Sequence, residues 1–282
     1  MAEFFELLEQ NAAIVASFCT ILSTFFVGIG YLSGKVGIRA KRRNIRKCLM
    51  LQKKECKIVL PTYGKKLYDK KTDVPMCDFG DIKAAGNIID LIRKTGLNQS
   101  QEKIFYEEDY SISIASYNMF YMGGILANKN VLDIFNNKFS KFKLLITDTP
   151  HNNPNNVSSK WFKHNGKNGF FWGDSSVDNI SEDVKEKFEV TGNERFAIIV
   201  KLSKEDFGGD DHGDVYILFG QGRIATLAIS RYMLSNYYDL YKKVKKKKHF
   251  FVAFKVSAVS GEIDGSTFVD LTDAMFDKAA KE

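Results

Sequence analysis

Paired cysteines are missing from this chain. It has four, Cys19, Cys48, Cys56 and Cys77, and no two stand at a CxxC spacing or at the cysteine–histidine spacing of a zinc site. That argues against a disulfide framework and against a metal centre, and it suits reduced thiols in a cytosolic compartment. No nucleic-acid-binding module accompanies the basic residues, so nucleic acid is not an expected partner. Complete GxGxxG and GxxxxGK[ST] fingerprints are absent as well. So is a complete catalytic constellation, and the sequence by itself names no reaction.

One long stretch lacks charge altogether. From Asn11 to Gly34 there is no charged side chain, and Lys35 is the first charge after Glu9. A helix of roughly 20 apolar residues spans about 30 Å, the thickness of a bilayer core. The flank before it is acidic (Glu3, Glu6, Glu9), unlike the basic start of a cleavable signal peptide. The flank after it is basic (Lys35, Arg39, Lys41, Arg42, Arg43, Arg46, Lys47). The positive-inside rule then predicts a single pass through the inner or plasma membrane, with the N-terminus outside and the rest cytoplasmic. Gly30 and Gly34 form a small-xxx-small pair through which two copies of the helix could approach closely as a homo-oligomer. The expected organisation is a segment 1–34 carrying the transmembrane helix, a basic juxtamembrane stalk 35–54, and a cytosolic domain 55–282. The bilayer is the expected partner of the stalk.

The remaining residues are globular in composition, with 44% hydrophobic and 13% aromatic residues. Short apolar runs alternate with helical patterns. Lys57–Tyr63, Lys103–Glu108, Tyr117–Met122, Lys143–Thr147, Arg195–Leu202, Val215–Phe219 and Phe250–Val256 read as strands. Asp78–Thr95, about Ala127–Phe139 and Ile224 to about Val244 read as helices. Asp78 or Asp81 is the expected cap of the first, and Gly96 its stop. Gly64–Met76 reads as a loop, and 267–280 as a short strand and helix. The fold class predicted is α/β: a doubly wound, mostly parallel Rossmann-like domain. An irregular or antiparallel insertion, rich in Asn and Gly at its start, is placed at about 151–202.

In such sheets ligands sit beyond the carboxyl ends of the strands. Two stretches have the required order of strand, glycine and helix start. One is Gly123-Gly124 leading to Asn128; the other is Gly220-Gln221-Gly222-Arg223, followed by Thr226. Glycine lets backbone approach a ligand, and the first N–H groups of a helix favour an anion. Arg223 adds a cation, Thr226 a hydroxyl, and Asn128 either an N-cap or a ribose contact. Glu107 and Glu108, after a strand, are the acid–base candidates, alongside the plain reading of a solvated strand end. Asp210, Asp211, His212 and Asp214 read as a polar loop before a strand.

At YNMFYMGGILAN and VYILFGQGRIAT, and in its order of anchor then domain, the chain resembles the Rossmann-type nucleotide-sensing domains, SLOG-like and distantly TIR-like, that bacteria fuse to membrane helices in antiphage signalling. It departs from them at Leu60-Pro61-Thr62-Tyr63, where such families often place a glycine turn. The resemblance implies a sensor that binds a nucleotide-like small molecule and passes the signal to the membrane segment as oligomerisation or bilayer disruption, in antiphage defence. No other cofactor is implied. The alternatives are a membrane-anchored nucleotide-processing hydrolase of the same fold and a non-catalytic membrane scaffold. A sensor is preferred to an enzyme.

Overall fold

The computed structural model describes residues 20–21, 23–26, 33–62, 65–68, 72–75, 77–97, 99–106, 117–125, 127–139, 163–164, 167–172, 186–209, 212–244 and 247–276. The chain divides into two compact units, Met1–Ile45 and Arg46–Glu282. In the first, residues 20–21, 23–26 and 33–45 are helical. Most of the apolar stretch 11–34, including Gly30, lies outside the described residues. Among the described residues no helix is long and apolar enough to cross a membrane. The second unit begins at Arg46, so the stalk residues from there to Lys54 pack as part of the folded domain.

Continuous apolar runs become strands buried on both faces, as a sheet covered by helices on each side requires. The elements run β1 (Cys56–Leu60), β2 (Lys65–Tyr68), β3 (Thr72–Pro75), α1 (Phe79–Thr95), β4 (Gln99–Tyr106), β5 (Asn118–Met122) and α2 (Lys129–Lys138). Then come β6 (Lys163–His164), β7 (Lys167–Trp172), β8 (Glu186–Val190), β9 (Glu194–Leu202), β10 (Val215–Gly220), α3 (Arg223–Lys243), β11 (Phe250–Ser257), β12 (Val269–Asp270) and α4 (Thr272–Met275). The main sheet has seven strands in the order β12-β11-β9-β10-β5-β1-β4. Every residue of β5 is buried, and so are Val215–Phe219 of β10.

Four of these strands, β4, β1, β5 and β10, form the parallel half. The other half is antiparallel, which makes the sheet mixed. β9 runs against both β10 and β11. The crossover from β10 through α3 to β11 therefore steps over one strand, and β9 fills the gap. This corrects the insertion boundary. Arg195–Leu202 belongs to the main sheet, because its burial on both faces fits only an interior strand. Within the stretch assigned to the insertion, the antiparallel set β6-β7-β8 makes a separate small sheet. The expected loop after β1 contains the hairpin β2–β3. The strand expected at 143–147 lies outside the described residues.

Alternate residues of the central strands face two layers. Met119, Tyr121, Val215, Ile217 and Phe219 share a core with Val131, Phe135 and Phe139 of α2 and its flank. Phe170 of the small sheet joins that core, with ring centroids 5.7 Å from Phe251 and 6.0 Å from Phe196. On the opposite face Tyr232 of α3 packs on Phe254, and α1 is tied to α3 by Asn87 Nδ2 donating to Ser230 Oγ at 2.9 Å. Helices thus cover both faces of this mixed α/β sheet. α1 starts where the sequence predicts: Asp78 accepts from Gly80 N, and Arg93 and Lys94 stand in the last turn.

Candidate ligand cleft

Strands β5 and β10 lie side by side and parallel, Met119 opposite Val215 and Met122 opposite Leu218. Their carboxyl ends bring the two glycine stretches to one edge. The chain winds from β1 one way to β4, and from β5 the other way to β10. The winding reverses between β1 and β5, which is where open α/β sheets part to form a crevice. A cleft of about 500 Å³ opens here. One wall is Gly123, Gly124 and Ala127; another is Phe219 to Arg223 with Thr226; Asp78 and Asp81 close the third.

The glycines are required for different reasons. Gly222 has φ 80° and ψ 171°, a conformation only glycine adopts readily, and it is the N-cap of α3. No side chain caps that helix, so first-turn donors are left for another acceptor. Gly220 answers a close approach: a Cβ there would lie 2.4 Å from Ala225 Cβ and 2.7 Å from Phe196 O. A Cβ on Gly124 would lie 2.8 Å from the Phe219 ring. Gly123 turns the chain with φ 81°, and a Cβ there would lie 3.0 Å from Pro61 Cγ.

The polar groups follow. Arg223 is exposed at the rim and has no ion pair among the described residues. Thr226 is buried on the wall one turn into α3. Gln221 donates its N–H to Phe196 O at 2.9 Å. Its Oε1 is buried without a hydrogen-bond partner, a condition that costs about 1–3 kcal/mol unless a donor arrives. Asp78 Oδ1 accepts from Gly80 N at 2.6 Å, and Asp81 is buried in the first turn of α1. The cleft is therefore positive at the start of α3 and negative at the start of α1. Those two starts touch, since a Cβ on Gly80 would lie 2.7 Å from Arg223 Cβ.

Asn128 does not line the cleft. It is the N-cap of α2: its Oδ1 accepts from Asn130 N and Val131 N, and its Nδ2 donates to Met122 O at 3.2 Å. Glu107 and Glu108 lie outside the described residues. The sequence offers Asp78 and Asp81 only as helix caps. The hairpin between β1 and α1 conceals that they return to the end of β1; two carboxylates around one glycine at a helix start were the available signal. Among the described residues no histidine or cysteine lines the cleft. Cys77, nearby, donates its thiol to Pro61 O at 2.9 Å, and burial, with Asp81 adding, raises its pKa to about 11. It is a poor nucleophile near neutral pH. Among the described residues no group of three or more His, Cys, Asp or Glu is placed to hold a metal ion.

Comparison with protein-family models, with curated proteins and with solved structures finds no match to this chain.

Proposed function

We propose that this cleft binds a nucleotide-like small molecule, and that the chain is a membrane-anchored sensor or effector whose cytosolic domain couples binding to oligomerisation or membrane disruption. The observation that carries the reading is convergence. Two glycine stretches, nearly 100 residues apart in sequence, meet at the carboxyl ends of β5 and β10, beside the winding reversal, and leave an uncapped helix N-terminus facing open space. A phosphate would sit on the first N–H groups of α3 beside Arg223. Hydroxyls or amino groups of the same ligand would face Asp78 and Asp81, and a donor would satisfy Gln221 Oε1. A ligand with an anionic end and a hydrogen-bond-donating end fits this polarity, and a nucleotide is such a ligand.

Transmission would run through the base of the sheet, where the stalk residues are held. Tyr216 Oη donates to Leu49 O at 2.5 Å, and Asn118 Nδ2 donates to Gln52 O and Lys54 O, both at 3.1 Å. A shift of β5 or β10 on ligand binding would therefore move the segment leading to the apolar helix. Antiphage defence is the setting this mode of action suits. The test is a thermal-shift titration of the full chain in detergent with a panel of nucleotides and cyclic or linear oligonucleotides. Saturable stabilisation that Arg223→Gln weakens supports the reading. The absence of any ligand-dependent change in stability or association counts against it.

A further inference from the structure

At the opposite end of the sheet, where β1, β5 and β10 begin, there is a second cleft of about 400 Å³. Five basic side chains line it: Arg46, Lys47, Lys201, Lys204 and Lys248. Two carboxylates, Asp214 and Glu205, also line it, and both are engaged. Asp214 takes Lys201 Nζ at 2.9 Å on one oxygen and Gln52 N at 2.9 Å on the other. Glu205 takes Lys248 Nζ at 3.2 Å. The ammonium of Lys201 is further occupied by the Lys248 carbonyl at 2.8 Å.

Arg46 is the exception. It is partly buried and has no carboxylate partner among the described residues. Beside it Lys47 is exposed and likewise without one. A half-buried arginine without a carboxylate partner among the described residues, in a groove where basic groups outnumber acidic ones, suits an anion that can take a forked pair of hydrogen bonds. We propose that this second cleft is a phosphate-binding site, separate from the cleft at the carboxyl ends and independent of what that cleft binds. An anion there would bridge Arg46 and Lys47 on the stalk side to Lys204 and Lys248 on the sheet side. It would fasten the stalk to the domain at the point where the hydrogen bonds from Asn118 and Tyr216 already hold it. The phosphate comes either from a soluble phosphoryl compound or from a lipid headgroup, and the same contacts serve both.

The experiment uses the full chain in detergent. One arm titrates inorganic pyrophosphate by calorimetry. The other measures co-sedimentation with phosphatidylcholine vesicles with and without phosphatidylglycerol. Each is repeated with Arg46→Gln, with Arg42→Gln, which removes the same charge outside the cleft, and with Arg223→Gln in the other cleft. Saturable binding in either arm with a component that Arg46→Gln weakens about tenfold, that persists in Arg223→Gln and that Arg42→Gln weakens less supports the site; binding abolished by Arg223→Gln and untouched by Arg46→Gln belongs to the other cleft and overturns it. Binding of pyrophosphate identifies a soluble source; dependence on phosphatidylglycerol alone identifies a lipid. Failure to bind in both arms overturns the proposal, as does equal weakening by Arg42→Gln, which would mean charge without a site. Should Arg46→Gln not fold, Lys47→Gln, an exposed change on the same wall, takes its place.

Discussion

The two ends of the parallel strands differ in how their polar groups are used. At the amino ends most of the buried groups are committed, His212 Nδ1 being an exception. Asn118, fully buried, donates to Gln52 O and Lys54 O and accepts from Asp214 N. Lys201 and Asp214 form an ion pair with side-chain exposures of 2% and 5%. Burial pushes the Tyr216 phenol well above its ordinary pKa, with Asp214 adding to the rise, so it remains a donor to Leu49 O. At the carboxyl ends the backbone is turned by glycine, a helix lacks a cap and an amide oxygen is buried unpaired. Stability wants every buried polar group satisfied. An uncapped helix and an unpaired amide oxygen beside a cleft are arranged for something that arrives later, whereas the mutually paired groups Asn118, Lys201 and Asp214 hold the chain together.

The strongest way to break this contrast is at the buried ion pair. Lys201→Met strands Asp214, and unfolding in urea should show a loss of about 3–5 kcal/mol. Adding Asp214→Asn, which keeps an acceptor for Gln52 N, should recover more than half of it. A loss under 1 kcal/mol would mean the amino end is not the fastened end. At the other end, Gly220→Ala forces a methyl against Ala225 and the Phe196 carbonyl, and an overpacked site of this kind costs about 1–3 kcal/mol.

A pH series sharpens the same comparison. Asp206 lies beside the amino-end cleft. Burial alone would raise its carboxyl, but hydrogen bonds from His249 and from Ser203 outweigh that and hold it below the ordinary aspartate value. A carboxylate depressed in the folded state stabilises above the unfolded pKa of about 4. That contribution disappears as pH falls through the lower folded value. Asp206→Asn should therefore lower stability at neutral pH and flatten its decline below about pH 4 in chemical denaturation. The smallest effect on folding is expected at the cleft rim. Arg223→Gln should leave stability within about 0.5 kcal/mol of wild type, because the side chain is exposed and holds no ion pair among the described residues.

Much of this division was legible in the sequence, for identifiable reasons. Runs such as Asn118–Met122 and Val215–Phe219, apolar without alternation, can only be interior strands, and both glycine stretches follow directly from them. The Gly96 stop and the Asp78 cap were readable for the same local reasons. Direction was not readable. Arg195–Leu202 has the same continuous apolar character whether it runs parallel or antiparallel, so its place between β10 and β11 could not be taken from periodicity. The hairpin Lys65–Pro75 is charged and carries no alternating apolar face, and it reads as a loop. Asp78 and Asp81 needed the tertiary path from β1 to α1 before they could be placed at a cleft. Asn128 reads equally as a cap or as a ligand contact in the sequence; in the fold its Oδ1 accepts from Asn130 N and Val131 N as the cap of α2.

The most direct measurement is the ligand dependence of stability in the full chain and in Gly222→Ala. A ligand at about 100 times its Kd stabilises the folded state by about 2.7 kcal/mol. The Gly222→Ala change strains a backbone at φ 80° at the N-cap of α3, although the methyl itself meets open space, and it does not touch the amino-end network. The account predicts a nucleotide that raises the melting temperature of the wild-type chain saturably, with the rise lost in Gly222→Ala and retained in Lys47→Gln. A nucleotide that stabilises Gly222→Ala and Arg223→Gln as much as the wild type would contradict it.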